Sequence, residues 1–460
     1  MKRQWLWLSV LFFVALSFLV WHTHQRRPLE ELGRELEQLR WEGEPTNLVD
    51  LLPPIPPHQD GTPFYQAAIQ SLQAIQAILP ESVWDELDNF ASLQPRQQIN
   101  LVDVEKGLRA VQPALEMLRV ALTYPHLRLV DWQVENPIEL RFPHLSEMRQ
   151  FARLLSAEAL WRKRKGDMEG AIDSCIAILR LARRIGDEPS FIHFGLQGAI
   201  FAIGTDTIHQ ILADADASPQ AYRALLRELQ AWDINRDFVR GLQMERVMVI
   251  WLCDWMREEA SRREMQAMVF PAVGRRRIEL TFWLKRKSNL IAQNELLLLR
   301  HYRQAITLAR KGMPYDWAKV LQLKEAWDRM VNRPAQSTLL LGGTEFTWNP
   351  NAVAAMARFE FPGKFLKATS LQTLQRLSET AIALRLYRQE HGRYPESLSA
   401  LVTRYLPSVP IDPFDGKALR YRREGKGFRL WSIGQNRKDD GGMEGLRRWT
   451  EGDIVWVAVK

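Results

Sequence analysis

The sequence predicts a mainly α-helical protein with a membrane helix at its N-terminus, a large helical body and a small C-terminal α+β unit with an antiparallel sheet. Three patterns carry that expectation. Trp5–Trp21 is one unbroken uncharged apolar run. From Pro63 to about Arg333 apolar residues recur at i, i+3, i+4 and i+7 over long windows, as in YQAAIQSLQAIQAIL and RALLRELQAW, the spacing of one helix face. Near Ala418 the period drops to two, in ALRYRR, GFRLWSI and DIVWVAV, which reads as strands.

Taken in order, residues 1–24 form the expected anchor. A bilayer core needs about 17–25 apolar residues in a helix, and WLWLSVLFFVALSFLVW just reaches that once His22 and Thr23 sit at the interface. Trp5, Trp7 and Trp21 fall where indole rings favour the headgroup region. A cleaved signal peptide would have a shorter apolar core and a small-x-small cleavage site, which VWHTHQRR does not supply. Lys2 and Arg3 before the run and Arg26 and Arg27 after it leave the positive-inside rule nearly balanced.

Residues 25–62 hold an amphipathic helix (LEELGRELEQLRW) and then a linker in which Pro53, Pro54, Pro56 and Pro57 forbid helix, a stalk or a strap laid on the body. Residues 63–334 make the helical body. Inside it, Leu154–Pro189 reads as two helices joined at Gly166-Asp167, with Ala159 and Ala171 small enough for close packing. That hairpin is similar to one tetratricopeptide repeat, but a lone copy cannot build a repeat array. Arg275–Lys287 sets six basic residues around Phe282 and Trp283, readable as a membrane-surface segment or as a solvated helix face. Residues 335–368 carry Gly342-Gly343, Asn349-Pro350 and Pro362-Gly363, turn chemistry that marks a connector.

Composition bounds the function. With 46% hydrophobic and 25% charged residues the bulk is globular. The net charge of +8 comes from 62 basic against 54 acidic residues, so charges are mixed along the chain and no nucleic-acid partner is demanded. Cys175 and Cys253 lie in apolar helical runs without metal-binding spacing, and are read as buried thiols. No phosphate-binding loop, nucleophile elbow, zinc-protease or dinucleotide motif occurs, and His193 and His209 flank an apolar helix. The chain is therefore expected to be a membrane-tethered scaffold or binding protein and not an enzyme. The alternative is an envelope hydrolase with an unrecognised active site in the helical body.

Residues 369–460 carry the most specific pattern. Tyr387, Gly392, Tyr394-Pro395 and Leu398 are followed by Pro410, Asp412-Pro413-Phe414 and Gly416, then by Tyr421. Ser432, Gly434, Asp439, Asp440, Gly441, Gly442, Asp453 and Ile454 complete it. In order and spacing this unit resembles the C-terminal domain of the major pseudopilin of type II secretion. The residues themselves read as a helix to His391 with Gly392 as its left-handed cap, a short helix over ESLSALVTRY, and three strands, the first two joined by a hairpin at Glu424-Gly425-Lys426-Gly427; the resemblance implies in addition a calcium site in the loop before the last strand. The ligands it implies are Ser432, Asn436, Asp439, Asp440 and Asp453, oxygen donors of the kind Ca²⁺ takes in a glycine-containing loop. Asn436 stands where the family carries Asp, and Arg447 and Arg448 lie in the same loop, so binding is expected to be weaker. Together with the apolar run Trp5–Trp21, which supplies the single span, the resemblance implies a protein of the bacterial inner membrane with its body periplasmic and envelope proteins as partners. Met1–Trp21 has neither glycine nor acid, so the family's processing site is missing, and residues 22–368 intervene before the similar unit. Polymerisation by the family mechanism is not expected, since a fold does not transfer function.

Overall fold

The structure is a computed structural model that describes residues 27–92, 98–135, 139–213, 215–258, 290–331, 337–341, 344–348, 361–445 and 451–458. The apolar run Trp5–Trp21 and the basic segment Arg275–Lys287 lie outside those residues. Among the described residues no helix is long and apolar enough to cross a membrane.

Residues 27–41 form α1, the amphipathic helix expected. Its Leu32 and Leu39 pack with Ile250, Leu296 and Leu299, so α1 lies against the body. A single turn, Leu48–Leu51, follows, held by a capping box in which Asn47 accepts from the Asp50 amide and Asp50 accepts from Asn47. The prolines then run extended. Paired backbone bonds, His126 N to the Gln59 carbonyl at 3.1 Å and Gly61 N to the His126 carbonyl at 2.9 Å, lay this strap on the body.

The body comprises α2 (Thr62–Ile78), α3 (Glu81–Phe90), α4 (Leu101–Thr123), α5 (Leu145–Arg164), α6 (Met168–Ile185), α7 (Phe191–Leu212), α8 (Pro219–Gln230), α9 (Ile234–Glu258), α10 (Leu290–Arg310) and α11 (Trp317–Val331). Asn100, Asp167, Ser190 and Ser218 cap four of them with side-chain oxygens. The α5–α6 hairpin turns where the sequence places it. Gly166 takes φ +82°, the left-handed region open to glycine, and Asp167 then caps α6 by accepting from the Gly170 amide at 2.9 Å. Ala159 and Ala171 are fully buried. A buried carboxylate also ties the elements together: Glu158 of α5 accepts from Ser174 of α6 at 2.7 Å and pairs with Arg119 of α4.

The connector contains structure of its own. Strands β1 (Ser337–Leu341) and β2 (Thr344–Trp348) pair antiparallel, Leu341 opposite Thr344. Helix α12 (Phe361–His391) then begins eight residues before the boundary expected at 368/369, which falls inside it. Helix α12 is buried along most of its length and packs on α7, α8, α9 and α11 as well as on the sheet. Thr369, Thr373, Ser378 and Thr380 survive burial by returning their hydroxyls to carbonyls one turn back.

Gly392, at φ +73°, ends α12. The short helix expected over residues 396–405 is reduced to a 3₁₀ turn, Leu398–Leu401, because Thr403 turns into the left-handed region at φ +72°. Strands β3 (Arg420–Glu424), β4 (Gly427–Ser432) and β5 (Ile454–Ala458) form an antiparallel sheet in the order β3-β4-β5. The β3–β4 turn is the two-residue Gly425-Lys426, with Gly425 at φ +57°, the glycine position of a tight hairpin turn. Phe428 and Leu430 of β4 are fully buried, and one hydrophobic core runs without a break from Tyr65 to Ala458. The molecule is thus mainly helical, with a small antiparallel sheet fused into the same core.

Candidate functional site

Asp412 organises the end of the sheet where β3 begins and β4 finishes. The turn that follows it closes when the Gly416 amide donates to the Asp412 carbonyl at 2.9 Å, with Gly416 at φ +75°. The buried Asp412 carboxylate accepts from the Phe414 amide (3.0 Å), the Ser432 hydroxyl (2.8 Å), the Ile433 amide (3.0 Å) and Arg420 Nη1 (2.8 Å). Burial pushes its carboxyl above the usual carboxylate range despite those donors. Arg420 continues to Asp415 at 2.6 Å and lies 3.6 Å from Asp439. One guanidinium therefore links the Asp412 turn to the acidic loop.

The loop between β4 and β5 gathers four of the five residues expected to hold calcium. Asp453, fully buried at the start of β5, accepts from the amides of Gly442 (2.7 Å) and Asp440 (3.3 Å). The Asn436 amide donates to Asp440 Oδ2 at 2.8 Å. Asp439 Oδ1 accepts from Trp431 Nε1 (2.9 Å) and the Gly441 amide (3.1 Å), bonds that hold its carboxyl below the usual range. Ser432 stands apart, because its hydroxyl is committed to Asp412 and to the Gly434 amide. Among the described residues no three His, Cys, Asp or Glu side chains converge as a metal cluster. Asp453 nevertheless lacks an ion-pair partner among those residues. Burial raises its carboxyl, and the neighbouring Asp439 and Asp440 raise it further against the pull of the two amides. A buried carboxylate beside two like charges is the electrostatic setting a cation would relieve, so Asn436, Asp439, Asp440 and Asp453 fit a hard cation in donor type.

Two other polar sites bear on the hydrolase alternative. A cavity of about 390 Å³ between α12 and residues 406–416 exposes Arg376 and Glu379. Glu379 is pushed up to about 7 by burial, against the pull of Arg376 3.3 Å away. Among the described residues it is the cavity's single carboxylate, so they form no acid–base pair there. Deeper in the body, Ser190 Oγ lies 2.6 Å from His193 Nδ1, and His193 Nε2 lies 2.9 Å from His144 Nε2. That chain has the reach of a nucleophile, base and orienting group. His193, however, is fully buried, and burial together with His144 drives it down to about 3, while burial takes His144 to about 4. Such imidazoles are poor proton acceptors near neutral pH, and the Ser190 hydroxyl also caps α7.

Glu379 gives a pH test. A carboxyl raised from 4.5 to about 7 contributes stability that is present below 4.5 and is lost as pH rises through 7. Glu379→Gln is therefore expected to exceed the wild type in stability by about 3 kcal/mol at pH 8 but by less than about 1 kcal/mol at pH 5. Urea unfolding at the two pH values checks it; a pH-independent difference would refute the burial account.

Sequence reasoning left Asp412 as a motif residue without a role, and did not single out Arg420 or Glu379. A signal existed only for Asp412, whose place in an ordered Pro-x-Asp-Pro-Phe-x-Gly run marked a structured turn. Cys175 and Cys253 are free and buried, their thiols pushed up by desolvation, as inert core cysteines should be. His209 Nε2 sits 3.1 Å from the carbonyl of Val457, joining α7 to β5. No family model, curated protein or solved structure matches this chain.

Proposed function

We propose that this protein is a membrane-anchored, extracytoplasmic scaffold or binding protein of the bacterial inner membrane, with a pseudopilin-like C-terminal unit that clasps calcium. Its role would lie in envelope or secretion-related assembly, with envelope proteins as partners. The observation that carries the reading is the C-terminal arrangement: one long helix, a three-stranded antiparallel sheet and, between its last strands, an acidic loop closed on the buried carboxylate of Asp453. The hydrolase reading gains no comparable support, since Glu379 has no second carboxylate in its cavity and His193 is a weak base.

Calcium held by Asn436, Asp439, Asp440 and Asp453 would tie β5 to the preceding loop. A ligand that binds only the folded state stabilises it by about 2.7 kcal/mol at a hundredfold excess over Kd. Limited proteolysis of spheroplasts with and without calcium tests both parts. External protease is expected to cut the body, and calcium to slow cleavage between Asp439 and Asp453 in the wild type but not in Asp453→Ala or Asp453→Asn. A body protected until the membrane is lysed sinks the orientation. Cleavage in the loop at one rate in calcium and in EDTA sinks the calcium site.

A further inference from the structure

The strap and the helical body enclose a cavity of about 590 Å³ that shares no lining residue with the acidic loop. Arg183 and Arg184 reach it from the last turn of α6, Arg236 and Arg240 from α9, and Arg128 from the extended segment after α4. The facing wall is Pro53, Pro54, Ile55 and Pro56, apart from Ile55 a surface without backbone donors. Arg128 pins that wall by donating to the Pro53 carbonyl at 3.2 Å.

The charges behind this cavity do not balance. Arg183 pairs with Glu228 at 3.2 Å, a carboxylate shared with Arg180 at 2.7 Å. Arg236 pairs with Asp237 at 3.0 Å, and Arg128 lies 3.9 Å from Glu188. Glu188 itself is used up by the amides of Leu129 and Val130 and by Trp132 Nε1. Asp187, the carboxylate in the wall, accepts from the Leu127 amide at 3.0 Å and sits 3.3 Å from His126 Nδ1. Of the six guanidiniums here, Arg180, Arg183, Arg236 and Arg128 thus share three carboxylates, Glu228, Asp237 and Glu188, while Asp187 faces His126. The two left over are Arg184 and Arg240, neither within ion-pair distance of a carboxylate among the described residues. Arg240 donates to the Gly186 carbonyl at 3.1 Å, while Arg184 Nε is buried without a hydrogen-bond partner among the described residues. Desolvation lowers both guanidiniums, with Arg183 adding to it at Arg184 and Arg236 at Arg240, against the partial pull of Asp187 on both and of Asp237 on Arg240.

We propose that this cavity binds the phosphate monoester of a small organic molecule, its phosphate between Arg184 and Arg240 and its body against the proline wall. Guanidinium forks match phosphate oxygens in geometry. A phosphate monoester carries about −1.5 to −2 at neutral pH, which matches two unpaired arginines. The volume falls in the range of small-molecule sites, roughly 300–1,000 Å³, and leaves room for more than the phosphate.

Calorimetric titration of the full chain in non-ionic detergent with inorganic phosphate and with phenyl phosphate tests this. Saturable binding of both is expected, phenyl phosphate the tighter, and the double variant Arg184→Gln/Arg240→Gln should weaken each by at least about tenfold. No saturable heat at millimolar probe overturns the proposal, as does affinity unchanged in the double variant. Phosphate bound as tightly as phenyl phosphate overturns the role of the proline wall. Should the double variant lose its native circular dichroism, Arg240→Lys decides: it keeps the charge but not the fork, so unchanged affinity there counts against the site.

Discussion

A fragment comprising residues 361–460, made alone, is expected to lack a cooperative melting transition. In the sequence the connector at residues 335–368 and the change of period near Ala418 mark off residues 369–460 as a unit of their own. Helix α12, however, is shared property. Phe365 packs edge-on to Phe238 and Tyr315 at centroid distances of 4.9 and 4.8 Å, and Phe361 meets Tyr302 at 5.8 Å. Leu371 packs so closely on Gly198 that a Cβ there would lie 2.7 Å away. Gln375 donates to the carbonyl of Trp232 at 2.9 Å, and Arg385 pairs with Asp216 at 2.8 Å. Exposing a buried Phe or Leu side chain costs about 1.5–3 kcal/mol. Losing the body's cover over Phe361, Phe365 and Leu371 alone costs about 5–9 kcal/mol on that scale, comparable with the whole stability of a domain, roughly 5–15 kcal/mol. Thermal melting by circular dichroism and the dispersion of the amide NMR spectrum measure it. A sharp transition with a dispersed spectrum, with or without calcium, would show that the unit folds by itself.

Asp412→Ala is expected to destabilise the full chain by about 3–5 kcal/mol, the scale for breaking a buried ion pair from one side. The substitution strands three donors at once, the amides of Phe414 and Ile433 and the hydroxyl of Ser432, around a fully buried carboxylate position. It also leaves Arg420, only 16% exposed at its side chain, to Asp415 and Asp439. Asp412→Asn keeps acceptor capacity but not the charge, so it should recover part of the loss. The shift of the urea midpoint at unchanged slope gives the value. A loss below about 1 kcal/mol for Asp412→Ala would mean that the turn relaxes and finds other acceptors.

Most of the body was legible in the sequence because most of its helices bury one face, and a one-sided burden writes a 3.6-residue period into the chain. The turn at Gly166, the stop at Gly392 and the hairpin at Gly425 were legible for a different reason: the left-handed backbone they require is open to glycine and disfavoured for most other residues. The start of α12 was hidden by the opposite circumstance. A helix buried on most sides has no polar face to set the period, and Pro362-Gly363 reads as a turn until Phe361 is seen packed in the core. The acidic loop could be named from spacing, but its division of labour could not. Only the fold decides that the Ser432 hydroxyl serves Asp412 while Asp453 is left with two amides and two like charges. The arginine cavity was beyond sequence altogether, because Arg128, Arg184 and Arg240 are brought together by helix packing. Periodicity records what a residue does for its own element; whether a charge is neutralised depends on what folds opposite it.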